Sequence, residues 1–106
     1  MEECMRLCAE AAKVCLETIP LCLDAGGKHA KADHIMLLIN CARICQTNAK
    51  VVLSGARQST YTSNACAEIC RECSDDCKAT GNEQFMQHCA DVCKRCADSC
   101  RKLAVH

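Results

Sequence analysis

A chain of 106 residues is enough for one domain with one core, burying about 65% of the surface that its unfolded form exposes. Thirteen basic and thirteen acidic residues cancel, so overall charge steers the protein to neither nucleic acid nor anionic membranes, and the longest apolar run, Ile35 to Ile39, is far too short to span a bilayer. Fourteen cysteines against one Phe, one Tyr and no Trp leave Leu, Ile, Val, Ala and the thiols themselves to fill the core.

Three breaks, at Gly26-Gly27, Ser54-Gly55 and Thr80-Gly81-Asn82, divide the chain into four segments of similar length. Glycine just past a helix end is the usual stop. The segments, 2–25, 30–53, 58–79 and 82–104, are rich in Ala, Leu, Glu, Lys and Arg and follow a period of 3.6, so each is predicted to be helical. The first carries Cys4, Cys8 and Cys15 at offsets zero, four and eleven, with Ala11 at seven, and Cys22 returns to the same face. Pro20 interrupts its final turns and is expected to kink it or split off a short terminal helix. In the second, His34, Leu38, Cys41 and Cys45 fill the same four offsets. The third holds Cys66, Cys70, Cys73 and Cys77, and the fourth repeats those steps with Cys89, Cys93, Cys96 and Cys100. Each quartet falls within about 60° of arc, one narrow stripe along a helix. Asn82 is the predicted N-cap of the fourth helix, with Glu83 in its first turn.

Four helices with short links and one marked face each predict an all-α fold, an antiparallel up-down-up-down four-helix bundle with a thiol-lined core, one domain over 1–106. The opposite faces of the third and fourth segments hold Glu68, Arg71, Glu72, Asp75, Asp91, Lys94, Arg95, Asp98 and Lys102. They read as solvated surface, with Asp91–Arg95 and Asp98–Lys102 at the helix-stabilising i, i+4 spacing. Segments one and two are more apolar off the stripe: Leu7, Val14 and Leu21 recur by sevens, and Ile35 and Ile39 share a side. Part of this flanks the core, and the remainder offers a homo-oligomer interface.

The opening Met-Glu-Glu-Cys is acidic where a leader would be basic and then apolar, which points to the reducing cytoplasm. There, a stripe of thiols is a metal-binding device before it is a cross-linking one. Cysteine as a small hydrophobe explains one or two buried thiols, but fourteen in register fill a bundle poorly because a thiol occupies less volume than Leu. Neighbours at i, i+4 have β-carbons about 5–6 Å apart, beyond what a disulfide accepts without distortion. The stripe carries no Asp or Glu, so hard cations are excluded and a di-iron carboxylate site has nothing to build it. Ferredoxin-type clusters call for compact cysteine runs in loops.

Zinc and Cu(I) remain, since both favour thiolates. Zinc on four thiolates leaves a charge of about −2, and no Lys or Arg lies on the inward face to balance it. Cu(I) accepts two or three thiolates, each able to bridge two ions, so a ladder of about one Cu(I) per thiolate is close to neutral. Multiple Cu(I) ions are therefore the leading expectation. A zinc or mixed-metal, metallothionein-like protein is the alternative, and a thiol redox sensor is third. The Cys-x-x-Cys pairs Cys70–Cys73 and Cys93–Cys96 lie mid-helix, away from the exposed helix N-terminus that lowers a thiol pKa.

The repeated Cys-x-x-x-Cys-x-x-Cys-x-x-x-Cys on helices, with few aromatics, resembles the copper storage proteins, cysteine-lined four-helix bundles of bacteria, over essentially the whole chain. The resemblance implies a cytosolic bundle filled with Cu(I) thiolate clusters, often a tetramer, with a storage or detoxifying role and no catalysis. A copper chaperone or a cuproenzyme is then the partner to expect. It also implies that metal enters at one end, where His and Met residues gather. The chain departs from the pattern in that its second helix supplies only Cys41 and Cys45 and Ala11 replaces a ligand, which implies a lower capacity. An antiparallel bundle independently brings Cys22, His34, Cys77, Met86, His88 and Cys89 to one end, with His29 in the adjoining loop. His34 lies on the stripe, Met86 at its edge, and His88 about 100° from Cys89. Met36 points away and is expected to pack; Met1, Met5 and His106 belong to the opposite end.

Overall fold

The computed structural model describes residues 1–104. It contains α1 (Glu2–Ala25), α2 (Ala32–Ser54), α3 (Ser59–Thr80) and α4 (Gln84–Ala104). Helices of 21 to 24 residues are about 32–36 Å long at 1.5 Å per residue, which fits a bundle measuring 42 × 19 × 17 Å. Each helix packs against its sequence neighbours, and α1 closes the ring on α4, the arrangement that short links impose on an up-down-up-down bundle. His106 lies outside the described residues.

The links differ from expectation in detail. A 3₁₀ turn, Gly27–Ala30, follows α1, so α2 starts at Ala32, two residues later than predicted. Gly55 ends α2 in the left-handed region, φ 71°, with its N–H donating to the Val52 carbonyl at 3.0 Å. Gly81 ends α3 in extended backbone, which any residue adopts, and glycine serves a different purpose there. A β-carbon at Gly81 would stand 2.7 Å from His29 Nε2 and press on the Glu83 carboxylate.

Two predicted features differ in detail. The first helix continues through Pro20, and no separate terminal helix splits off. The amide bond that proline removes would end on the Leu16 carbonyl, and both residues are exposed on the outer face, so water replaces the missing donor. Asn82 is not the N-cap of the last helix. The first helical bond runs from Gln87 N–H to the Glu83 carbonyl at 2.9 Å, while the Asn82 carbonyl accepts from Gln87 Nε2 at 2.8 Å.

The inward faces carry sulfur and little else. Ala11, Ala12, Ala42, Ala67, Ala90 and Ala97 are buried beside the thiols, and small side chains let helices approach closely. Leu38, Met86, Val52 and Val92 are the bulkiest fully buried side chains. Leu7 and Val14 belong to this core, whereas Leu21, Leu16, Leu23 and Met36 are about half exposed on the outer faces of α1 and α2. On the surface Asp91 pairs with Arg95 at 3.3 Å as expected, but Asp98 takes Lys94 at 3.0 Å and not Lys102. Because the core has few large apolar groups, losing one is costly: Leu38→Ala in the reduced, metal-free protein is expected to cost about 2–5 kcal/mol, read as a lower denaturation midpoint at unchanged slope.

Candidate metal centre

All fourteen cysteines are free and buried, and the sulfurs of all but Cys22 form a connected ladder along the bundle axis. At the end where α1 and α3 begin, Cys4 Sγ stands 3.6 Å from Cys100 Sγ, and Cys8 Sγ 3.7 Å from the same atom. Two groups of four follow: Cys8, Cys66, Cys96 and Cys100, then Cys45, Cys66, Cys70 and Cys96, each with its sulfurs within 4.8 Å of one another. Cys66 and Cys96 belong to both. Cys41, 3.6 Å from Cys70, links these to a third group, Cys15, Cys41, Cys73 and Cys93, with one sulfur from each helix. Cys77 and Cys89 adjoin Cys73 and carry the ladder onward.

No Lys, Arg, Asp or Glu is buried among the described residues, so the channel holds no compensating charge. Thiols regulate one another instead. Hydrogen bonds from Cys100, Cys4, Cys45 and Cys66 hold the Cys8 thiol low, and those from Cys15, Cys45, Cys70 and Cys73 do the same for Cys41. Their neighbours Cys45 and Cys73 are pushed up, since a proton shared toward one thiolate is harder to remove.

The two ends differ. Asn48, fully buried, directs Nδ2 at three sulfurs, 3.5 Å from Cys100, 3.7 Å from Cys8 and 3.8 Å from Cys4. Its Oδ1 accepts from Thr62 Oγ1 at 2.7 Å and Ser63 Oγ at 3.1 Å, which fixes the amide orientation. The sequence reading missed Asn48, although it stands fourteen residues past His34 and seven past Cys41, on the α2 stripe. At the other end Cys22 Sγ lies 3.3 Å from His34 Nε2 and 3.6 Å from Met86 Sδ. His34 Nδ1 pairs with Asp76 Oδ2. Burial, then the negative fields of Cys89, Glu83 and Asp76, push the Cys22 thiol up to about 11. The same carboxylates favour a cation placed beside it.

Of the residues expected at this mouth, Cys22, His34 and Met86 converge, with Cys77 and Cys89 just inside. His88 does not join them: it is exposed on the outer side of α4, about 100° round the helix from Cys89. His29 is buried in the 3₁₀ turn, yet its Nε2 meets Glu83 at 3.0–3.1 Å and not Cys22. That pair lies against Gly81, where a larger residue would press on it. The Glu83 carboxylate is held below its ordinary range by a hydrogen bond from its own backbone N–H and by His29. Cys70–Cys73 and Cys93–Cys96 are mid-helix and buried, away from any activating terminus.

A four-helix bundle whose interior is a run of thiols with no buried Lys, Arg, Asp or Glu among the described residues, ending in an imidazole and a thioether, defines a protein built to hold thiophilic metal ions. The chain belongs to the copper storage protein family, whose model matches residues 1–105. It is 29% identical over 76 residues, 72% of this chain and 70% of the relative, to the uncharacterized cysteine-rich protein YhjQ of Bacillus subtilis (strain 168). Among solved structures it resembles the Nmul_A1745 protein of Nitrosospira multiformis, at 42% identity and TM-score 0.88, covering 95% of this chain and 91% of that one. It is similar, at 29% identity and TM-score 0.89, to the Cu(I)-bound copper storage protein BsCsp3, covering 98% of this chain and 97% of that one. Apo-Csp3 from Bacillus subtilis matches at 29% identity and TM-score 0.88, over 98% of both chains.

Burial predicts thiol reactivity. In the folded, reduced protein a bulky disulfide reagent should label the cysteines slowly, and after denaturation it should titrate all fourteen at once. Rapid labelling of several thiols in the native state would show that they face water. Asn48→Ala should destabilise the metal-free protein by about 1–3 kcal/mol, because the Thr62 and Ser63 hydroxyls lose their shared acceptor; chemical denaturation measures it.

Proposed function

We propose that this protein is a cytoplasmic store for Cu(I), holding several ions on its cysteine thiolates and performing no catalysis. The observation that carries this reading is the overlap between thiol groups: Cys66 and Cys96 each serve two sets of four. Overlap suits an ion whose thiolate ligands bridge. Family membership and the likeness to a Cu(I)-bound relative support the same ion. All fourteen cysteines are the proposed ligands, with Cys22, His34 and Met86 receiving the ion first and the remaining sulfurs holding it deeper. His88, exposed, is at most an outer contact at the mouth. A copper chaperone or a cuproenzyme is the proposed exchange partner. The half-exposed Leu16, Leu23 and Met36 on α1 and α2 supply an apolar face for a homotetramer. No described helix is long and apolar enough to cross a membrane.

One feature favours zinc as a second reading. In the group Cys15, Cys41, Cys73 and Cys93, two sulfur separations are 3.6 and 3.9 Å. A zinc ion with bonds of about 2.3 Å to four tetrahedral sulfurs needs about 3.8 Å. Such a site, with one sulfur from each helix, would accept zinc in protein prepared without copper.

Anaerobic titration of the reduced protein with Cu(I) against a strong chelator tests the main reading. Saturation on the order of a dozen ions is expected, from about one ion per thiolate. Saturation at one or two, or an equal hold on about three or four Zn(II) ions that Cu(I) cannot displace, overturns it. Each Cu(I) replaces a thiol proton, so uptake should acidify an unbuffered solution. Affinity should fall as pH falls, because protons then compete for sulfur.

A further inference from the structure

The Asp76 carboxylate has no place among the sulfur ligands, yet it touches the imidazole beside them. We propose that Asp76 is a positioning residue for copper admission: it fixes the proton of His34 on Nδ1, so that Nε2 presents its lone pair to the ion that Cys22 and Met86 receive. This rests on the reading of the Cys22–His34–Met86 end as the mouth.

The geometry spans all four helices. Cys22 comes from α1, His34 from α2, Asp76 from α3 and Met86 from α4. Asp76 is about a third exposed and His34 only 4%. The ring therefore reaches from a solvated carboxylate to a buried sulfur. A neutral imidazole carries one N–H, on either nitrogen, and only the other nitrogen can bind a metal. An ionised carboxylate accepts hydrogen bonds and donates none. With Asp76 Oδ2 on Nδ1, that nitrogen carries the hydrogen, and the bare Nε2 is the one 3.3 Å from Cys22 Sγ. The tautomer with the hydrogen on Nε2 would block the bond that admission requires. Held at both nitrogens, the ring also loses the freedom to rotate away from the sulfur. A carboxylate behind a ligating histidine fixes its tautomer and orientation and raises its basicity, and losing such a partner typically costs about 10–100-fold in metal affinity or activity.

The ion pair alone would be a structural tie, so the test must separate tying from presenting. Asp76→Ala, Asp76→Asn, Asp76→Glu and His34→Ala are compared with the unaltered protein in three measurements. NMR of the ring nitrogens in the metal-free protein, in mildly alkaline buffer, reads the tautomer. Anaerobic stopped-flow mixing with a small-molecule Cu(I) complex at limiting copper reads the uptake rate. Titration to saturation reads the capacity.

The unaltered protein should show the hydrogen on Nδ1, and Asp76→Ala should move it in part to Nε2. Asp76→Ala should take up copper about tenfold more slowly. Asp76→Asn, which still accepts a hydrogen bond but lacks charge, should lie between, and Asp76→Glu should recover most of the rate. Capacity should stay the same in all three, because the inner sulfurs are untouched. An unchanged tautomer and rate in Asp76→Ala, with His34→Ala slow, overturns the role of Asp76 and leaves the mouth in place. His34→Ala at full speed removes the mouth reading itself, and the role of Asp76 with it. A rate lost in proportion to lost stability, with the tautomer unmoved, makes Asp76 a structural tie and also overturns the proposal.

Discussion

Sulfur stands where branched aliphatic side chains would fill an ordinary bundle, and protonated thiols are both small and neutral. Smallness requires the helices to close up, which the interleaved Ala11, Ala42, Ala67, Ala90 and Ala97 permit. Neutrality lets many polarisable groups share a dry channel without the cost that buried ions carry. It also governs loading. When Cu(I) displaces a thiol proton, one positive charge replaces another and the channel remains neutral. A zinc ion on four thiolates displaces four protons with two charges and leaves about −2 in an interior with no buried Lys or Arg. The same packing that makes the metal-free core foldable selects which ion can fill it.

The Cys22–His34–Met86 end, the proposed mouth, departs from this rule in a useful direction. Asp76 and Glu83 bring negative charge close to Cys22, which disfavours the thiolate when the site is empty and favours a cation when one arrives. At the far end no described carboxylate bonds to a sulfur; an amide finishes it, with Asn48 donating to sulfur and accepting from hydroxyls. A bundle with charge at one end and a neutral plug at the other is directional, although its thiol ladder is nearly symmetric.

The fold and the ladder were legible because periodicity reports which residues face inward, and every cysteine of the stripe is buried. His34 followed from the same offsets, and Met86, at the stripe's edge, from the antiparallel arrangement that brings the start of the fourth helix to that end. Asn48 lay on the stripe as well, but a search by sulfur passes over an amide. Asp76 carries no periodic signal: it stands one residue before Cys77, about 100° round the helix, and only the three-dimensional meeting of α2 and α3 gives it a partner. Local rules failed where tertiary context or solvent took over. Pro20 sits where water can replace its missing donor, the last helix starts beyond Asn82, and Asp98 finds Lys94 before Lys102.

Two interruptions of the stripe reveal what keeps the ladder continuous. Ala11 removes a sulfur from α1 between Cys8 and Cys15, and Leu38 removes one from α2 between His34 and Cys41. Left to α1 alone, the channel would split into a lower part around Cys8 and an upper part around Cys15. Cys41 closes the gap, 3.6 Å from Cys70 below and 3.9 Å from Cys93 above, and Cys93 in turn lies 3.6 Å from Cys15. Thiolate exchange moves a soft ion only between sulfurs near enough to bridge it. Cys41 adjoins both Cys70 and Cys45, so its sulfur is the step between the Cys15 group and the Cys45 and Cys8 groups. A helix with two cysteines thus contributes the sulfur that joins the two halves of the store.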